Sequence, residues 1–214
     1  TWPPVPNYWS FGTAGSGTVT VVTNGSPQSG FQELLLFTEV ADQSQWAVLK
    51  LNLTNQAGAT DLFLDFWAKG IHGGWPAYST FYVEVSGDGT NWWQVLASFP
   101  PDNYQNYVID LDAQLAAGGI TLDSEVYIRF RNSQTYLYPS APYHVFLDQV
   151  RVSQGNPNVP VLSLPTRMPD GEFQFELSGP VGTNYIIQAS TNLADWIPIA
   201  TYVIPDSGVL LITD

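Results

Sequence analysis

The chain has 214 residues, of which 44% are apolar and 12% are charged, and its formal net charge is −13 with six Lys and Arg in all. So large an apolar share excludes an acidic disordered tail, because there is ample surface to bury against the entropy of the chain. The negative charge repels phosphate backbones and anionic lipids, so we expect no nucleic-acid or membrane partner. No run of about 18 apolar residues predicts a membrane-spanning helix.

The chain has no cysteine and one methionine, but it has eight Trp, eleven Tyr and eleven Phe. This composition favours an exported bacterial protein over a cytosolic one. The chain begins at Thr1 without Met, and no charged and apolar leader follows. We therefore expect that any export signal was removed or lay upstream, and that the protein is secreted or sits at a cell surface.

Alternation of apolar and polar residues, the pattern of half-buried strands, recurs along the chain, and turn residues such as Asn24-Gly25 separate the segments. The predicted strands of the first part lie at 17–23, 31–40, 47–53, 61–67, 80–85, 92–99, 107–111, 125–131 and 143–152. Residues 112–117 are the best helix candidate, and Gly118-Gly119 limits them to a single turn. Nine short strands with this spacing predict an all-β fold, an antiparallel β-sandwich of jelly-roll type.

A domain boundary is predicted where Pro and Asn residues cluster after the last of these strands. The stretch 153–160 removes ladder donors and favours turns, so we assign 1–154 to the jelly roll and 155–160 to a linker. Alternation returns in 172–177, 184–190, 196–199 and 209–212. Four strands predict a small β-sandwich of fibronectin or immunoglobulin type over 161–214, marginal on its own.

Residues 46–153 resemble the MAM-like jelly-roll modules of secreted bacterial enzymes. The segments that carry the resemblance are ATDLFLDFW at 59–67, FYVEVSGDGTNW at 81–92, YIRFR at 127–131 and FLDQVRV at 146–152. The cysteines of the eukaryotic versions are missing, so no disulfide-based function carries over. The resemblance implies a fold more than a function, because such modules serve adhesion, sugar binding and spacing alike.

Residues 171–203 are similar to a fibronectin-type-III-like repeat of very large exported proteins from the Verrucomicrobia–Planctomycetes group. The segments that carry this similarity are GPVGTNY at 179–185 and QASTNLADW at 188–196. Such repeats usually continue beyond the position that corresponds to Asp214. The similarity implies a piece of a larger parent protein, linked covalently to other domains.

Catalytic motifs are weak. The carboxylate pairs that a glycosidase or lyase could use are Asp61 with Asp65 and Asp110 with Asp112. We interpret both as edge and turn acids, because neither has the spacing of sandwich-fold glycosidases. There is no Cys nucleophile, Gly-x-Ser-x-Gly elbow or phosphate loop. His72 and His144 lie in different predicted loops, which is a weak basis for zinc.

A structural Ca²⁺ is the one cofactor that the sequence suggests. The jelly-roll resemblance implies a carboxylate ligand at Asp148, in the last strand of the large domain. Asp148 shares a strand face with Phe146, so its carboxylate needs a partner. Glu39 and Asp42 are candidate co-ligands. An ion pair with Arg129 or Arg131 is the alternative to calcium, and the sequence leaves both open.

Strand parity gives the candidate binding site. Successive antiparallel strands reverse direction, so the loops within 70–78, 100–106 and 132–144 leave the same end of the sandwich. These loops carry most of the aromatic side chains outside the strands. We predict that Trp75, Tyr78, Tyr104, Tyr136 and Tyr138 stack on sugar rings and that Asp102, Asn103 and Gln134 bind their hydroxyls. The alternative is that Pro and Tyr pack on one another and hold the loops closed.

The function that these observations predict is a non-catalytic carbohydrate-binding module that binds a neutral plant-type or microbial glycan. It would belong to a secreted polysaccharide-degrading enzyme or surface protein. The main alternative is a structural or adhesive spacer without a small ligand, and the third is a sandwich-fold hydrolase or lyase. Trp46, Trp67 and Trp196 are predicted to lie in the core, with one of Trp92 and Trp93.

Overall fold

The computed structural model describes residues 8–23, 26–38, 43–72, 79–122, 125–134, 143–156 and 159–213. The chain divides into two compact units, Thr1–Gln154 and Gly155–Asp214. Within the described ranges, no helix has the length and apolar character needed to cross a membrane.

The first unit consists almost entirely of antiparallel strands. They are β1 (Trp9–Ala14), β2 (Thr18–Val22), β3 (Glu33–Thr38), β4 (Gln43–Asn52), β5 (Leu62–His72), β6 (Ser79–Ser86), β7 (Trp93–Ser98), β8 (Gln105–Asp110), β9 (Glu125–Gln134) and β10 (Tyr143–Gln154). β1 is absent from the sequence prediction, because its glycine, Gly12, interrupts the apolar alternation. The other strands lie at the predicted places, so the prediction of an all-β antiparallel fold is confirmed.

The ten strands form two sheets. Sheet A has the order β1-β4-β9-β6-β7 and sheet B has the order β2-β3-β10-β5-β8. Every pairing in both sheets is antiparallel. Phe66 on sheet B contacts Phe130 on sheet A with ring centroids 5.2 Å apart, so the two sheets pack face to face as a jelly-roll β-sandwich.

The core lies between the sheets and follows from the alternation in the strands. In β9, Val126, Ile128 and Phe130 are buried and the intervening residues are half-exposed. Phe66 stacks on Tyr107 at 5.2 Å and meets Phe81 and Phe130 edge-on. An aromatic cluster of this kind removes a large apolar area from water and fixes the register of both sheets.

A helix, α1 (Leu111–Ala117), follows β8 and is longer than the single turn predicted. The Asp110 carboxylate caps it by accepting a hydrogen bond from the Ala113 N–H at 3.0 Å. Leu111 and Leu115 are fully buried against the sandwich. The tertiary contact therefore stabilises a helix that is too short to be stable alone. A short 3₁₀ helix lies at Thr54–Gln56.

The second unit is smaller and contains five described strands. They are β11 (Val161–Arg167), β12 (Phe173–Ser178), β13 (Asn184–Ala189), β14 (Ile197–Val203) and β15 (Val209–Thr213). β11, β12 and β15 form one sheet, and β13 and β14 form another. The buried core consists of Leu177, Ile187, Ile204 and Ile212. Its likeness to a fibronectin-type-III repeat stays a prediction.

Candidate functional site

The strand ends that flank the three aromatic loops lie at one end of the sandwich, as strand parity predicts. The register pairs His72 with Tyr143, Ser79 with Gln134 and Phe81 with Ser98. Asn132 connects the sheets at this end, because it accepts a hydrogen bond from Ser79 Oγ at 2.6 Å and donates to the Tyr143 carbonyl at 3.3 Å. The loop between β7 and β8 is anchored by the Gly70 N–H, which donates to the Pro101 carbonyl at 2.8 Å.

The predicted loop residues divide into two groups. Trp75, Tyr78, Tyr136 and Tyr138 lie outside the described residues, so their stacking role stays a prediction. Asp102 and Asn103 are exposed between β7 and β8, whereas Gln134 is buried at the end of β9. Burial places Gln134 beneath the surface on which a ligand would rest.

Tyr104 is held by contacts on the outer side of sheet B. Its hydroxyl donates a hydrogen bond to the Glu33 carboxylate, and the Lys69 ammonium lies 4.5 Å from the centre of its ring. Burial and the hydrogen bond to Glu33 both raise the pKa of Tyr104 well above its usual value. These contacts occupy the hydroxyl and cover one face of the ring.

Asp148 lies fully buried on the same outer side of sheet B. Its carboxylate accepts hydrogen bonds from the Ser29 N–H at 2.9 Å and the Gln149 N–H at 2.7 Å. Burial raises the pKa of Asp148, and these backbone donors oppose the rise. The predicted ion pair with Arg129 or Arg131 is wrong, because both arginines lie on sheet A and bind Glu84.

Lys69 supplies a positive charge on this outer side of sheet B. Its ammonium lies 3.4 Å from the buried Glu33 carboxylate and donates to the Ser26 carbonyl at 3.1 Å. Glu33 Oε1 has no hydrogen-bond partner among the described residues. Three metal-binding side chains do not meet anywhere in the described ranges. Glu39 and Asp42 lie outside these ranges, so calcium stays a prediction.

Three of the four carboxylates considered for catalysis, those of Asp65, Asp110 and Asp112, have structural contacts in the described part of the chain. Asp65 is buried and pairs with Arg151 at 2.9 Å. Asp110 caps α1, and Asp112 accepts a hydrogen bond from the Leu62 N–H at 2.8 Å. His144 packs edge-on against Phe37 with ring centroids 4.7 Å apart. These contacts give Asp65, Asp110 and Asp112 structural roles.

The outer face of sheet A carries a different set of side chains that sequence reasoning missed. The register places Gly12, Trp46, Arg131 and Tyr82 side by side on four neighbouring strands. The Trp46 indole lies over Gly12 so closely that a methyl group on residue 12 would collide with it. Trp46 is half-buried, so the indole is held against the sheet while part of it meets solvent.

Two arginines of β9 stand beside aromatic rings on this face. The Arg131 guanidinium lies 4.1 Å from the centre of the Tyr82 ring, and that of Arg129 lies 4.0 Å from the Trp92 ring. Glu84 joins them, accepting from Arg129 Nε at 2.6 Å and from Arg131 Nη2 at 2.8 Å.

The Glu84 carboxylate is the fixed centre of this group. Burial alone would raise the pKa of Glu84, but the hydrogen bonds from Arg131 and Arg129 outweigh burial and lower it. The carboxylate therefore stays ionised and holds both guanidinium groups in place. We call this set the arginine–aromatic face; it consists of Trp46, Tyr82, Glu84, Trp92, Arg129 and Arg131.

The prediction of a core position was wrong for several tryptophans. Trp46 and Trp67 are half-buried on outer strand faces, and Trp196 in the second unit is 52% exposed. Trp92 is half-buried and Trp93 is 44% exposed, so neither belongs to the core. The buried residues Ala47 and Leu49 occupy alternate positions of β4, and extending that alternation back to residue 46 was the signal that could have placed its indole outside.

No protein-family model matches the chain, and no curated protein matches it. Among solved structures, the family 11 carbohydrate-binding module of the cellulosomal cellulase Lic26A-Cel5E of Clostridium thermocellum is 13% identical, with 72% of this chain and 91% of that chain covered and a TM-score of 0.48. TmCBM61, in complex with β-1,4-galactotriose, is 16% identical, with 68% and 88% covered and a TM-score of 0.44.

A longer enzyme also contains a similar segment. The β-1,2-glucanase from Parabacteroides distasonis is 11% identical, and the match covers 95% of this chain but 32% of that chain, with a TM-score of 0.48. At these identities the likeness concerns the fold alone. The fold assignment rests on the strand order, and any function must be argued from the residues.

Proposed function

We propose that the first unit is a non-catalytic carbohydrate-binding module of a secreted polysaccharide-degrading or cell-surface protein. The observation that carries the proposal is the arginine–aromatic face, where fixed rings alternate with hydrogen-bonding groups across a rigid sheet. Its ligand is a neutral plant-type or microbial glycan.

The chemistry of the face suits a sugar ring. A pyranose has an apolar CH face, which a flat indole such as that of Trp46 can contact. It also has a rim of hydroxyls, which can accept hydrogen bonds from the guanidinium groups of Arg129 and Arg131. Because Glu84 already orients both arginines, little side-chain entropy is lost when the ligand binds.

The charge balance supports a neutral glycan. The chain has six Lys and Arg, and the two arginines on this face share one carboxylate. Glu84 therefore compensates one of the two positive charges, and the net charge of −13 would repel a polyanion elsewhere on the surface. The structural contacts of Asp65, Asp110 and Asp112 support a binding role over hydrolysis.

Affinity electrophoresis in gels that contain cellulose derivatives, xylan, mannan or β-glucan tests the proposal. We expect at least one glycan to retard the protein and Trp46→Ala to abolish the retardation. Trp196→Ala is the control, because Trp196 is also a solvent-exposed tryptophan but lies in the second unit. No retardation by any glycan would favour the spacer alternative, and release of reducing sugar would favour a hydrolase.

A further variant separates this face from the aromatic loops. Trp75→Ala changes the loop site predicted from strand parity and leaves the arginine–aromatic face intact. We expect it to bind like the wild type. Loss of binding in Trp75→Ala together with normal binding in Trp46→Ala would move the site to the loops.

A further inference from the structure

A groove lies at the other end of sheet A from the aromatic loops. It has a volume of about 470 Å³ and is lined by Gly87, Asp88, Asn91, Trp92, Trp93 and residues 118–121. One wall is the turn from β6 to the start of β7, and the other is the segment that follows α1. We propose that this groove extends the arginine–aromatic face and binds further sugar residues of the same glycan chain. This inference rests on the proposed function.

Trp93 gives the groove a fixed aromatic wall. A Cβ atom on Gly118 would lie 2.9 Å from Trp93 Cγ, which no real side chain tolerates. The indole therefore rests directly on the Gly118 backbone, and Trp93 remains 44% exposed. An indole supported on one side and open to solvent elsewhere is suited to stack on a sugar ring.

Gly118 is required for the space that it leaves and not for its backbone conformation. Its φ is −80°, a value that any residue adopts, whereas the next residue, Gly119, has a φ of +68°. Glycine at residue 119 serves the left-handed turn that ends α1. Glycine at residue 118 lets the indole of Trp93 approach the chain.

The turn between β6 and β7 gives the groove a polar and rigid part. The Asp88 carboxylate accepts hydrogen bonds from the backbone N–H groups of Asn91 and Thr90, both at 2.8 Å, and from Asn91 Nδ2 at 2.7 Å. These bonds hold the pKa of Asp88 far below its usual value, so the group is an ionised acceptor for a hydroxyl. The groove thus combines a stacking surface with polar groups.

Trp92 makes the groove continuous with the arginine–aromatic face. Its ring stacks on Arg129 on the outer face of sheet A, and the same residue lines the groove. From β4 to β7 there are three strand spacings, roughly 14 Å in all. The register places Trp46, Arg131 and Tyr82 in line with Ala97 of β7, four residues from Trp93. A glycan chain that runs from Trp46 to the groove therefore crosses the sheet diagonally and passes over Trp92.

Isothermal titration of the full chain with matched disaccharides and hexasaccharides of cellulose, xylan and mannan tests the inference. We expect Trp93→Ala to weaken hexasaccharide binding about tenfold and to leave disaccharide binding within about twofold. Gly118→Ala keeps the indole but displaces it, so we expect the same selective loss. The melting temperature of each variant confirms that it folds.

The experiment distinguishes a groove that does not bind sugar from an arginine–aromatic face that does not bind sugar. If Trp46→Ala abolishes binding and Trp93→Ala binds the hexasaccharide normally, the groove is not used and the proposed function stands. Equal weakening of both sugar lengths by Trp93→Ala would also overturn the extension. If neither tryptophan matters, the arginine–aromatic face itself does not bind glycan.

Discussion

Trp46 and Gly12 face each other on neighbouring strands, and the indole occupies the space that a side chain on residue 12 would need. Gly12 lies in the regular strand β1, so glycine is not needed there for a turn. The pair therefore fixes the orientation of an aromatic ring on the outer face of sheet A. Glycine in a strand weakens the strand, which suggests that the position of the indole matters more than the stability of β1.

This pairing predicts the effect of Gly12→Val. The larger side chain pushes the indole away from the sheet, so we expect glycan affinity to fall about tenfold while the fold is kept. Ser10→Val is the control, because residue 10 lies on the same strand face but opposite Val48. Affinity gels with both variants provide the measurement. Unchanged affinity in Gly12→Val would mean that the indole is not a stacking surface.

Glu84 predicts a specific pH dependence. Because the folded state lowers the pKa of Glu84, its stabilisation is complete above the usual value of 4.5 and is lost as the pH falls through the lower folded value. Glu84→Gln removes the carboxylate that two half-buried arginines share, so we expect a cost of about 2 kcal/mol at neutral pH. That cost should shrink progressively below pH 4.5.

Urea unfolding of both proteins between neutral pH and pH 3 measures this difference. Glu125→Gln is the control, because Glu125 forms an exposed pair with Lys50 and should contribute little at any pH. A difference between wild type and Glu84→Gln that stays constant with pH would show that the carboxylate is not ionised or not engaged by the arginines.

The position of Lys69 leads us to expect that a chelator has little effect on the stability of the protein. Its ammonium already supplies positive charge beside Glu33, so we expect EDTA to shift the melting temperature of the wild type by less than about one degree. Lys69→Met leaves the buried Glu33 carboxylate without this cation. We expect this variant to be less stable and to be partly rescued by Ca²⁺.

Thermal melts of both proteins with EDTA and with Ca²⁺ show whether the Lys69 ammonium or a bound calcium ion supplies the positive charge at this place. A wild-type melting temperature that falls by several degrees in EDTA would support the calcium site predicted at Asp148. The unpartnered Glu33 Oε1 would then be a further ligand.

The two units should differ in local stability. The second unit has a core of four buried residues, whereas the first buries the aromatic cluster of Phe66, Phe81 and Phe130 as well as many aliphatic side chains. We expect amides of β12 to exchange hydrogen roughly tenfold faster than those of β9. Hydrogen exchange of the full chain measures this directly, and equal protection of the two strands would contradict it.

Much of the fold could be predicted because strand alternation depends on local sequence. In β9 the apolar residues Val126, Ile128 and Phe130 alternate with polar ones, and the structure buries those three residues. The sequence also predicted that the three loops leave the same end of the sandwich, because strand direction depends only on the order of the strands. β1 was missed because its own residues do not show the alternation of a strand. Its pairing with β4 stabilises it as a strand in the folded protein.

The candidate site could not be predicted, because it depends on pairing between distant strands. Trp46, Arg131 and Tyr82 lie far apart in the chain, and only the register of β4, β9 and β6 aligns them. The same holds for Asp148, whose backbone donor at Ser29 is 119 residues away.

The central claim is that a glycan lies on the outer face of sheet A. The most direct measurement is a chemical-shift titration of the isotope-labelled full chain with an oligosaccharide of the glycan that retards the protein most. We predict shifts concentrated in Trp46 and its strand neighbours, in Arg129 and Arg131, and in Tyr82 and Glu84. Shifts confined to residues 73–78, 98–105 and 135–142, or no shifts at saturating sugar, would contradict the claim.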